Sequence, residues 1–498
     1  MLLSVSRCTF LRFGSPPAVL PAVPKKFTVY LWYSYTECVI IVAITSIELL
    51  PLFQGVFFER RKPFMGKLLK KLSPPRVIAL CFALTILLGS VLLIMPFSVR
   101  DGVELSYIDS LFTATSAVCV TGLVTVDTYD TFTAVGQSII AVMIQIGGLG
   151  VATIGAGVIL AMGKRMDLRG RKIVRESINF GSGKGVVRLV RSIFATTAVI
   201  ELVGAVLNFC IFIRRMPFLR AVGVSLFHSV ASFNNAGFDI FGNMQSMTAY
   251  KDDVMLNLVT CALVILGGVG FLVVRDLLDN RFRWKRLSLH SKVVLSFSGI
   301  LLAGGTLLFK LTENFSWLGA FFNSVSARTA GFSTYPLGGF TNAGLIVMLV
   351  LMFIGASPGS TGGGVKTSTI FVLVTGIISA ATNRSEKAFR YSVPRNAFKK
   401  AAVVTLIALG VIVTGTFLFC LAEPDIPFRD SLFEVTSAFG TVGLSTGITP
   451  TLGTAAKIIL MPIMYIGRLG PLTVATLWYF SRGERVRYPE GDIALEGR

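Results

Sequence analysis

The sequence repeats one pattern four times, as LFTATSAVCVTGL (Leu111–Leu123), LFHSVASFNNAGF (Leu226–Phe238), AFFNSVSARTAGF (Ala320–Phe332) and SLFEVTSAFGTVGL (Ser431–Leu444). Each stretch has a phenylalanine ten residues before a glycine, a small residue five before it, and Leu or Phe directly after it. The glycines are Gly122, Gly237, Gly331 and Gly443, separated by 115, 94 and 112 residues. A pattern that recurs at this spacing predicts four modules of about a hundred residues each.

Long apolar segments flank each of the four stretches. A helix needs about 20 apolar residues to cross a hydrocarbon core of ~30 Å. Eight segments approach or exceed this length: Val77–Pro96, Val135–Met162, Ile193–Ile213, Val254–Val274, Val293–Phe309, Ala343–Ile378, Ala401–Leu421 and Ala455–Phe480. The order long, short, long recurs four times. It predicts an all-α integral membrane protein with four pseudo-symmetric membrane–pore loop–membrane modules around a single central pore.

The composition also indicates a membrane protein. Of the 498 residues, 53% are hydrophobic and only 15% are charged, against roughly 25% charged in soluble proteins. This balance excludes a soluble multidomain enzyme. The net charge of +21 comes from basic residues set between apolar segments, so we expect it to reflect membrane topology and not nucleic-acid binding. The scattered cysteines form no C-x-x-C pair, so neither a disulfide framework nor a zinc site is expected.

Basic clusters set the expected orientation. Nine Lys/Arg lie from Lys164 to Arg191, six from Arg275 to Lys292 and six from Arg384 to Lys400. Such clusters remain on the cytoplasmic side of a cell membrane. The short segments therefore enter from the outer face, where acidic residues such as Asp101 and Glu423 would attract cations.

The repeats also divide the chain into domains. We expect an N-terminal extension at 1–71, modules at 72–176, 177–286, 287–390 and 391–482, and a cytoplasmic C-terminal tail at 483–498. Residues 39–58 are apolar enough for a ninth span, although they carry Glu48 and Pro51. The sequence MGKLLKK from Met65 has the character of a cytoplasmic N-terminus, so the true start is expected there.

The short segments cannot cross the membrane. Ten helical residues at ~1.5 Å each reach about 15 Å, half of the hydrocarbon thickness, and the chain must then return as extended backbone. Such backbone survives at that depth only where it is buried in protein or lines a water-filled path. A single loop of this kind would be interpreted as a helix end or a packing contact. Four matching loops favour the walls of one pore.

Glycine in each loop allows the backbone carbonyls to point at the axis, where they can replace the hydration shell of a cation. We therefore predict an ion-selectivity filter that binds the transported ion. Its residues are Val120, Thr121, Gly122, Asn235, Ala236, Gly237, Thr329, Ala330, Gly331, Thr441, Val442 and Gly443.

The loops CVTGL, NNAGF, RTAGF and GTVGL resemble the degenerate filters of the Trk/Ktr/HKT superfamily of potassium transporters. The resemblance extends from Leu72 to Arg487 and is closest to Ktr-type membrane subunits. It implies K⁺ uptake, as a symporter or in a channel-like manner, by a homodimer in membrane lipid with one pore per protomer. It also implies a partner, a cytoplasmic nucleotide-binding regulatory subunit on the basic inner face. No cofactor is expected in this chain, and Na⁺ is expected only as a coupling or stimulating ion.

Ion preference and function class have alternatives. Some members of the superfamily have serine at the first filter glycine and favour Na⁺. Gly122 is present here, so the resemblance indicates K⁺, with transport of Na⁺, another monovalent cation or a small solute on the same scaffold as the alternative. An intramembrane enzyme is disfavoured, because the spans offer neither an Asp pair nor a histidine constellation.

The segment Ala343–Ile378 is too long for one straight crossing, and its middle, GASPGSTGGGVKTST, predicts a broken helix. It lacks the glycine spacing of a phosphate-binding loop. The resemblance assigns it the role of an intramembrane gating loop, contacted by the arginine of YIGRLGP. The predicted gate residues are Gly359, Gly362, Gly363, Gly364, Lys366 and Arg468.

Charged residues within the apolar segments usually serve function. The alternatives are a position of Lys366 at the membrane interface and a structural pair of Arg468 with a carboxylate. Arg328 is expected to brace a pore helix, with Glu434 as a candidate partner. The glycines around Gly147 and Gly267 are expected to permit close helix packing.

Overall fold

The computed structural model of the chain describes residues 72–163, 166–178, 185–394 and 396–477. The predicted extension 1–71, with the candidate span 39–58 and the candidate start at Met65, lies outside the described residues, and so does the tail 483–498. The domain boundaries between the modules stay predictions.

The described residues form helices and one two-stranded antiparallel sheet. In chain order these elements are α1 (Pro74–Ile94), α2 (Tyr107–Cys119), α3 (Thr128–Thr131), α4 (Ala134–Leu149), α5 (Val151–Ala161), α6 (Leu168–Ser177), α7 (Val186–Phe212), α8 (Phe218–Phe233), α9 (Val254–Val269), α10 (Phe271–Asp279), α11 (Leu289–Thr312), α12 (Trp317–Ser326), α13 (Asn342–Phe353), α14 (Thr367–Thr382), β1 (Lys387–Ala388), β2 (Tyr391–Ser392), α15 (Ala397–Ala422), α16 (Phe428–Gly440), α17 (Thr454–Leu469) and α18 (Pro471–Ala475). Short 3₁₀ helices occur at Thr248–Tyr250, Trp284–Arg286, Leu337–Gly339 and Thr449–Thr451.

Four long helices, α1, α7, α11 and α15, begin the four repeats. They contain 21, 27, 24 and 26 residues, which is long enough to cross a hydrocarbon core of ~30 Å. Leucines on their surfaces are widely exposed, such as Leu88 (61%), Leu202 (63%) and Leu406 (67%). Exposed apolar surface of this kind is suited to contact with lipid. The four corresponding predicted spans are confirmed as continuous helices.

Four short helices, α2, α8, α12 and α16, follow the long ones and contain 13, 16, 10 and 13 residues. Three of their recurring phenylalanines lie in the core: Phe112 and Phe433 are fully buried, and Phe227 is 6% exposed. The fourth, Phe321, is partly buried and packs against the same core. Each helix ends directly before its glycine loop. The predicted short segments are therefore confirmed as half-length helices followed by non-helical backbone.

The second long segment of each repeat is broken. The break in the third repeat was expected, whereas the expectation of a single span for the segments of the first, second and fourth repeats is wrong. The helix axis turns by 99° between α4 and α5, and by 95° between α9 and α10. The breaks lie at Gly150, Gly270 and Gly470, with φ of 84°, 98° and 89°. Only glycine adopts such angles readily. In the third repeat, residues 354–366 separate α13 from α14, as the sequence predicts for that segment.

The fourth repeat closes against the first. Lys457 of α17 forms a 2.7 Å ion pair with Asp109 of α2. Nearer the other end of the helices, the Tyr465 hydroxyl donates to the Ala79 carbonyl (2.5 Å), and Arg76 Nε donates to the Leu477 carbonyl (2.8 Å). These contacts join the first repeat to the fourth, so the four glycine loops can meet around one axis.

Candidate functional site

The four glycine loops share an unusual backbone. Their glycines have positive φ, at 92°, 69°, 79° and 90° for Gly122, Gly237, Gly331 and Gly443. The residue two positions earlier is also left-handed in every loop, at 57°, 59°, 76° and 50° for Val120, Asn235, Thr329 and Thr441. Non-glycine residues rarely adopt this conformation. Its recurrence at equivalent positions shows that the predicted filter residues form one repeated structure.

The four glycines form a closed ring. A Cβ atom at Gly122 would lie 2.4 Å from the carbonyl oxygen of Ala236, which directly precedes Gly237. The same relation continues around the ring. A Cβ at Gly237 would lie 3.0 Å from the carbonyl oxygen of Ala330, one at Gly331 would lie 2.4 Å from that of Val442, and one at Gly443 would lie 2.2 Å from that of Thr121. All four loops therefore surround one point, and each carbonyl lies where a side chain on the neighbouring glycine would collide with it.

Serine side chains attach three of the loops to their helices. The Gly122 N–H donates to Ser116 Oγ (3.0 Å), and the Gly443 N–H donates to Ser437 Oγ (3.2 Å). In the third loop Ser326 Oγ donates to the Phe332 carbonyl. These bonds hold the backbone of the ring from behind and leave its carbonyls free for a ligand.

A cavity of about 660 Å³ opens on the glycine side of the ring. All four glycines line it, together with the carboxylates of Asp127 and Asp239. A carboxylate-lined vestibule raises the local concentration of cations. The glycine side of the ring is therefore accessible to a cation.

Residues 354–366, called here the inner loop, close the opposite side of the ring. A parallel bridge between Ile354 and Val365 joins its two ends. Thr361 Oγ1 donates to the Phe233 carbonyl behind the second glycine loop (3.3 Å). The Gly363 N–H donates to Thr441 Oγ1 of the fourth glycine loop (3.0 Å).

Gly362 of the inner loop packs on the third glycine loop, where a Cβ atom would lie 2.2 Å from Thr329 Oγ1. The inner loop thus contacts three of the four glycine loops. In the third and fourth loops the contact is made at the left-handed residues Thr329 and Thr441, and in the second loop it is made at Phe233, two residues before the left-handed Asn235.

The broken inner helices also hold the inner loop, because the carbonyls at the breaks are free to accept hydrogen bonds. Backbone N–H groups of the inner loop donate to three such carbonyls: Ser357 to Gly268 (3.0 Å), Thr361 to Gly267 (3.3 Å) and Gly364 to Gly467 (3.3 Å). Close contact at these glycines serves packing as well, since a Cβ at Gly467 would lie 1.9 Å from the Phe439 carbonyl. The same holds for Gly147 and Gly267, where a Cβ would lie 2.1 Å from the Val118 carbonyl and 1.8 Å from the Phe233 carbonyl. The expected packing role is confirmed for these two glycines.

Arg468 joins the inner loop to the first repeat. Its guanidinium donates to the carbonyls of Thr361, Gly147 and Gly148, the last at 3.1 Å. Lys366 Nζ donates to carbonyls within the loop, to Gly362 at 2.7 Å and Gly363 at 3.3 Å. Among the described residues the partners of Arg468 are backbone carbonyls, and it forms no pair with a carboxylate.

The predicted gate residues come together around one cavity. It has a volume of about 420 Å³ and lies on the side of the inner loop away from the ring. Lys366 and Arg468 line it together with Gly359, Gly362 and Gly364. Gly363 is turned to the ring side.

The proposed partnership of Arg328 with Glu434 is wrong. Arg328 donates to the backbone carbonyl and hydroxyl of Ser298, at 3.4 and 3.3 Å. Glu434 instead accepts from the Thr449 hydroxyl. The two side chains are attached to different repeats, and each finds a partner within its own repeat.

The carbonyls of Gly147 and Gly148 were not expected as partners of Arg468. The inner helices carry an aligned motif, GGLG from Gly147, GGVG from Gly267 and GRLG from Gly467. Arg468 thus takes the place of a glycine in the fourth repeat. This departure from the motif is the sequence signal that indicates a cation at the break of the fourth inner helix.

A family model described as a cation transport protein, TrkH, matches residues 83–316 and 293–481. The chain belongs to the TrkH family of cation transport proteins. The resemblance derived from the four glycine loops is thereby confirmed. As a TrkH-family member the chain is a membrane protein of cation transport.

Similar proteins cover most of the chain. The Ktr system potassium uptake protein B of Bacillus subtilis is 38% identical, over 85% of this chain and 97% of its own length. The potassium/sodium uptake protein NtpJ of Enterococcus hirae is also 38% identical, over 86% and 98%. These TrkH-family relatives are transport proteins, in agreement with the expectation that the chain is not an enzyme.

A solved structure supports the fold. The potassium transporter TrkH from Vibrio parahaemolyticus matches 88% of this chain and 98% of its own chain, with a TM-score of 0.66 at 17% identity. The predicted all-α membrane fold with pore-loop modules is thereby confirmed.

Proposed function

We propose that the chain is the pore-forming subunit of a K⁺-uptake system, and that K⁺ crosses the membrane through the ring of glycine loops. The observation that carries this proposal is the closed ring itself. The carbonyls of Thr121, Ala236, Ala330 and Val442 alternate with the four glycines around one axis. Backbone carbonyls arranged in a ring can take the place of a cation's hydration shell.

The preferred ion of the proposal is K⁺. The names of the relatives mention potassium in one case and both potassium and sodium in the other. Gly122 retains the glycine at the first filter position, and its φ of 92° is unfavourable for serine. Na⁺ transport on the same scaffold is the alternative, and Na⁺ as a coupling or stimulating ion is a further part of the proposal.

The inner loop is proposed as the gate. It covers the ring on the side opposite the vestibule, and Arg468 places a positive charge there while it holds Thr361. A cation leaving the ring would meet both the loop and this charge. Transport therefore requires that the inner loop move and that its bond with Arg468 break.

The regulatory partner and the assembly belong to the same proposal. The basic segments, such as the 3₁₀ helix Trp284–Arg286, would face the cytoplasm of a cell whose plasma or inner membrane holds the protein. A cytoplasmic nucleotide-binding subunit would dock on this basic face of a homodimer. Its docking would supply the free energy that moves the inner loop.

Growth on low K⁺ tests the proposal. The full chain is expressed with a matching regulatory subunit in a bacterium that lacks K⁺ uptake, beside Gly122→Ser and the control Gly410→Ser. A side chain at Gly410 meets open space. We expect rescue by the wild type and by Gly410→Ser, and loss of K⁺ preference in Gly122→Ser. Absence of rescue by wild-type protein that is normally inserted in the membrane would contradict the K⁺ assignment.

A further inference from the structure

A half-buried cluster of one carboxyl group and two amides lies behind the second glycine loop. Asn234 Nδ2 donates to Glu201 Oε1 (3.0 Å) and to Gln145 Oε1 (2.7 Å). Gln145 Nε2 in turn donates to Glu201 Oε2 (3.3 Å). The three side chains form a closed triangle of hydrogen bonds that joins α4, α7 and the end of α8. We call this cluster the amide–carboxyl triangle.

The position of Glu201 points to a role in function. It lies near the middle of α7, a helix long enough to span the membrane. Carboxyl groups at that depth are costly, and they are usually retained for a functional reason. Neither the proposed filter nor the proposed gate uses this side chain. Its two oxygens both accept hydrogen bonds from the amides of the triangle.

The triangle reaches the second glycine loop through Asn234, which lies three residues before Gly237. Asn234 is fully buried, and its Nδ2 also lies 2.9 Å from the Val230 carbonyl at the end of α8, so its two hydrogens are shared among three acceptors. The next residue, Asn235, is in the left-handed conformation that begins the loop. Fixing Asn234 therefore fixes the point at which the chain leaves the helix and enters the ring.

The second loop needs this support because it lacks the serine anchor. Six residues before the glycine stand Ser116 in the first repeat and Ser437 in the fourth, and their hydroxyls accept from the glycine N–H. The equivalent residues in the second and third repeats are Ala231 and Val325, which have no hydroxyl. The third loop is attached through Ser326 instead. The amide–carboxyl triangle supplies an attachment at the same end of the helix.

The triangle also contacts the first repeat at the site where Arg468 binds. A Cβ atom at Gly148 would lie 2.0 Å from Asn234 Oδ1, and the Gly148 carbonyl accepts from Arg468 (3.1 Å). Asn234 is thus fixed between Glu201 on one side and the break of the first inner helix on the other. A shift of Asn234 would move the second loop relative to its neighbours in the ring.

We propose that Glu201 is a positioning residue for the second glycine loop and that, through Asn234, it sets how strongly the ring prefers K⁺ over Na⁺. The proposal rests on the proposed K⁺ pathway. Selectivity depends on where the carbonyl dipoles of the ring lie and how firmly they are held. Loss of the triangle would let the Ala236 carbonyl move. A ring with one mobile carbonyl would also coordinate Na⁺, the smaller ion.

Exchange of the carboxyl group and one amide provides the test. Full-length Glu201→Leu, Asn234→Asp and the double variant Glu201→Gln/Asn234→Asp are expressed with the regulatory subunit in the K⁺-uptake-deficient bacterium. The initial uptake of Rb⁺, as a K⁺ substitute, and of Na⁺ is then measured. Their ratio does not depend on how much protein reaches the membrane. The double variant again has one carboxyl group and two amides, but its carboxyl group lies at the end of α8 and not on α7.

We expect the Rb⁺/Na⁺ ratio to fall about fivefold, as a loss of ~1 kcal/mol predicts, in Glu201→Leu and in Asn234→Asp. The double variant should recover most of the wild-type ratio. The control is Asn208→Leu in the same helix. Asn208 is buried, and its amide makes no hydrogen bond with the described residues. Its replacement should leave the ratio unchanged.

Two results would overturn the inference while the proposed function stands. One is an unchanged ratio in Glu201→Leu, and the other is a double variant no better than Asn234→Asp. Failure of the wild-type chain to prefer Rb⁺ over Na⁺ would instead refute the proposed K⁺ pathway. The wild-type measurement therefore separates the two kinds of failure.

Discussion

Replacing Arg468 with glutamine removes the guanidinium that connects the inner loop to the first repeat. The wild-type side chain donates to Thr361 of the inner loop and to Gly147 and Gly148 at the end of α4. Glutamine retains two N–H donors but has no charge and a shorter reach. We expect Arg468→Gln to let the inner loop open without a regulatory subunit.

The size of the effect depends on which bonds differ between the closed and open loop, since only these shift the equilibrium. The bonds to Gly147 and Gly148 lie outside the inner loop and can persist when it opens. The bond to Thr361 must break. A hydrogen bond to a charged group contributes about 1.5–3 kcal/mol, which corresponds to an increase of roughly tenfold to a hundredfold in the open population.

Rb⁺ flux into proteoliposomes that contain only the full-length chain measures this change. The control is Arg429→Gln at the outer end of α16, where Arg429 is half exposed and pairs with Asp430 at 3.5 Å. The control should leave the basal flux unaltered. An unchanged or lower basal flux in Arg468→Gln, at equal incorporation, would refute the role given to Arg468.

Two further variants examine the inner loop and the closure of the ring of repeats. Gly362→Ala brings a Cβ to 2.2 Å from Thr329 Oγ1, so the basal Rb⁺ flux of this variant should rise about fivefold or more. The control Gly339→Ala, at a glycine that faces open space, should have the flux of the wild type. Equal flux in the two variants would contradict the packing of the inner loop on the third glycine loop. Lys457→Met breaks the 2.7 Å pair with Asp109 and should cost about 1 kcal/mol, which lowers the melting temperature of a chain of this length by about 1–2 °C. Burial alone would raise the pKa of Asp109, but the hydrogen bond and charge of Lys457 lower it below its ordinary value. The stability that a carboxyl group with a lowered pKa contributes is complete above its ordinary pKa and is lost as the pH falls through its lowered pKa. The melting temperatures of the wild type and Lys457→Met should therefore converge below about pH 4. A constant difference between them down to pH 3 would argue against the pair.

The ring of glycine loops could be predicted because its sequence signature occurs four times. Any one loop, such as NNAGF before Asp239, has the composition of an ordinary helix end. Equivalent positions in four repeats must play equivalent structural roles, and that requirement identifies Gly122 and its three counterparts. The break after Phe353 was also predictable, because Pro358 and a run of three glycines cannot continue a helix.

The breaks at Gly150 and Gly270 could not be predicted in the same way. Each lies in an uninterrupted apolar segment, where glycine is common for close helix packing. Whether a glycine bends a helix depends on the carbonyls and loops that meet it in three dimensions. Near Gly270 the inner loop supplies those contacts, from a segment about 90 residues away in sequence. Near Gly150 they come from Arg468, which donates to the carbonyls of Gly147 and Gly148.

Polar partnerships between distant segments were the least predictable feature. Glu201 lies within a predicted span, yet its partners Gln145 and Asn234 are 56 and 33 residues away. The wrong pairing of Arg328 with Glu434 has the same origin. Opposite charge suggests an ion pair, but the geometry of the fold decides which groups come within reach.

Location of the transported ion tests the central claim most directly. Crystals of the full-length protein grown with Rb⁺ or Tl⁺ in place of K⁺ would show the ion by anomalous scattering. We expect a peak on the axis of the ring, within coordination distance of the carbonyls of Thr121, Ala236, Ala330 and Val442, and its loss when Na⁺ replaces the heavier ion. A peak elsewhere in the protein, with an empty ring at saturating Rb⁺, would contradict K⁺ passage through the glycine loops.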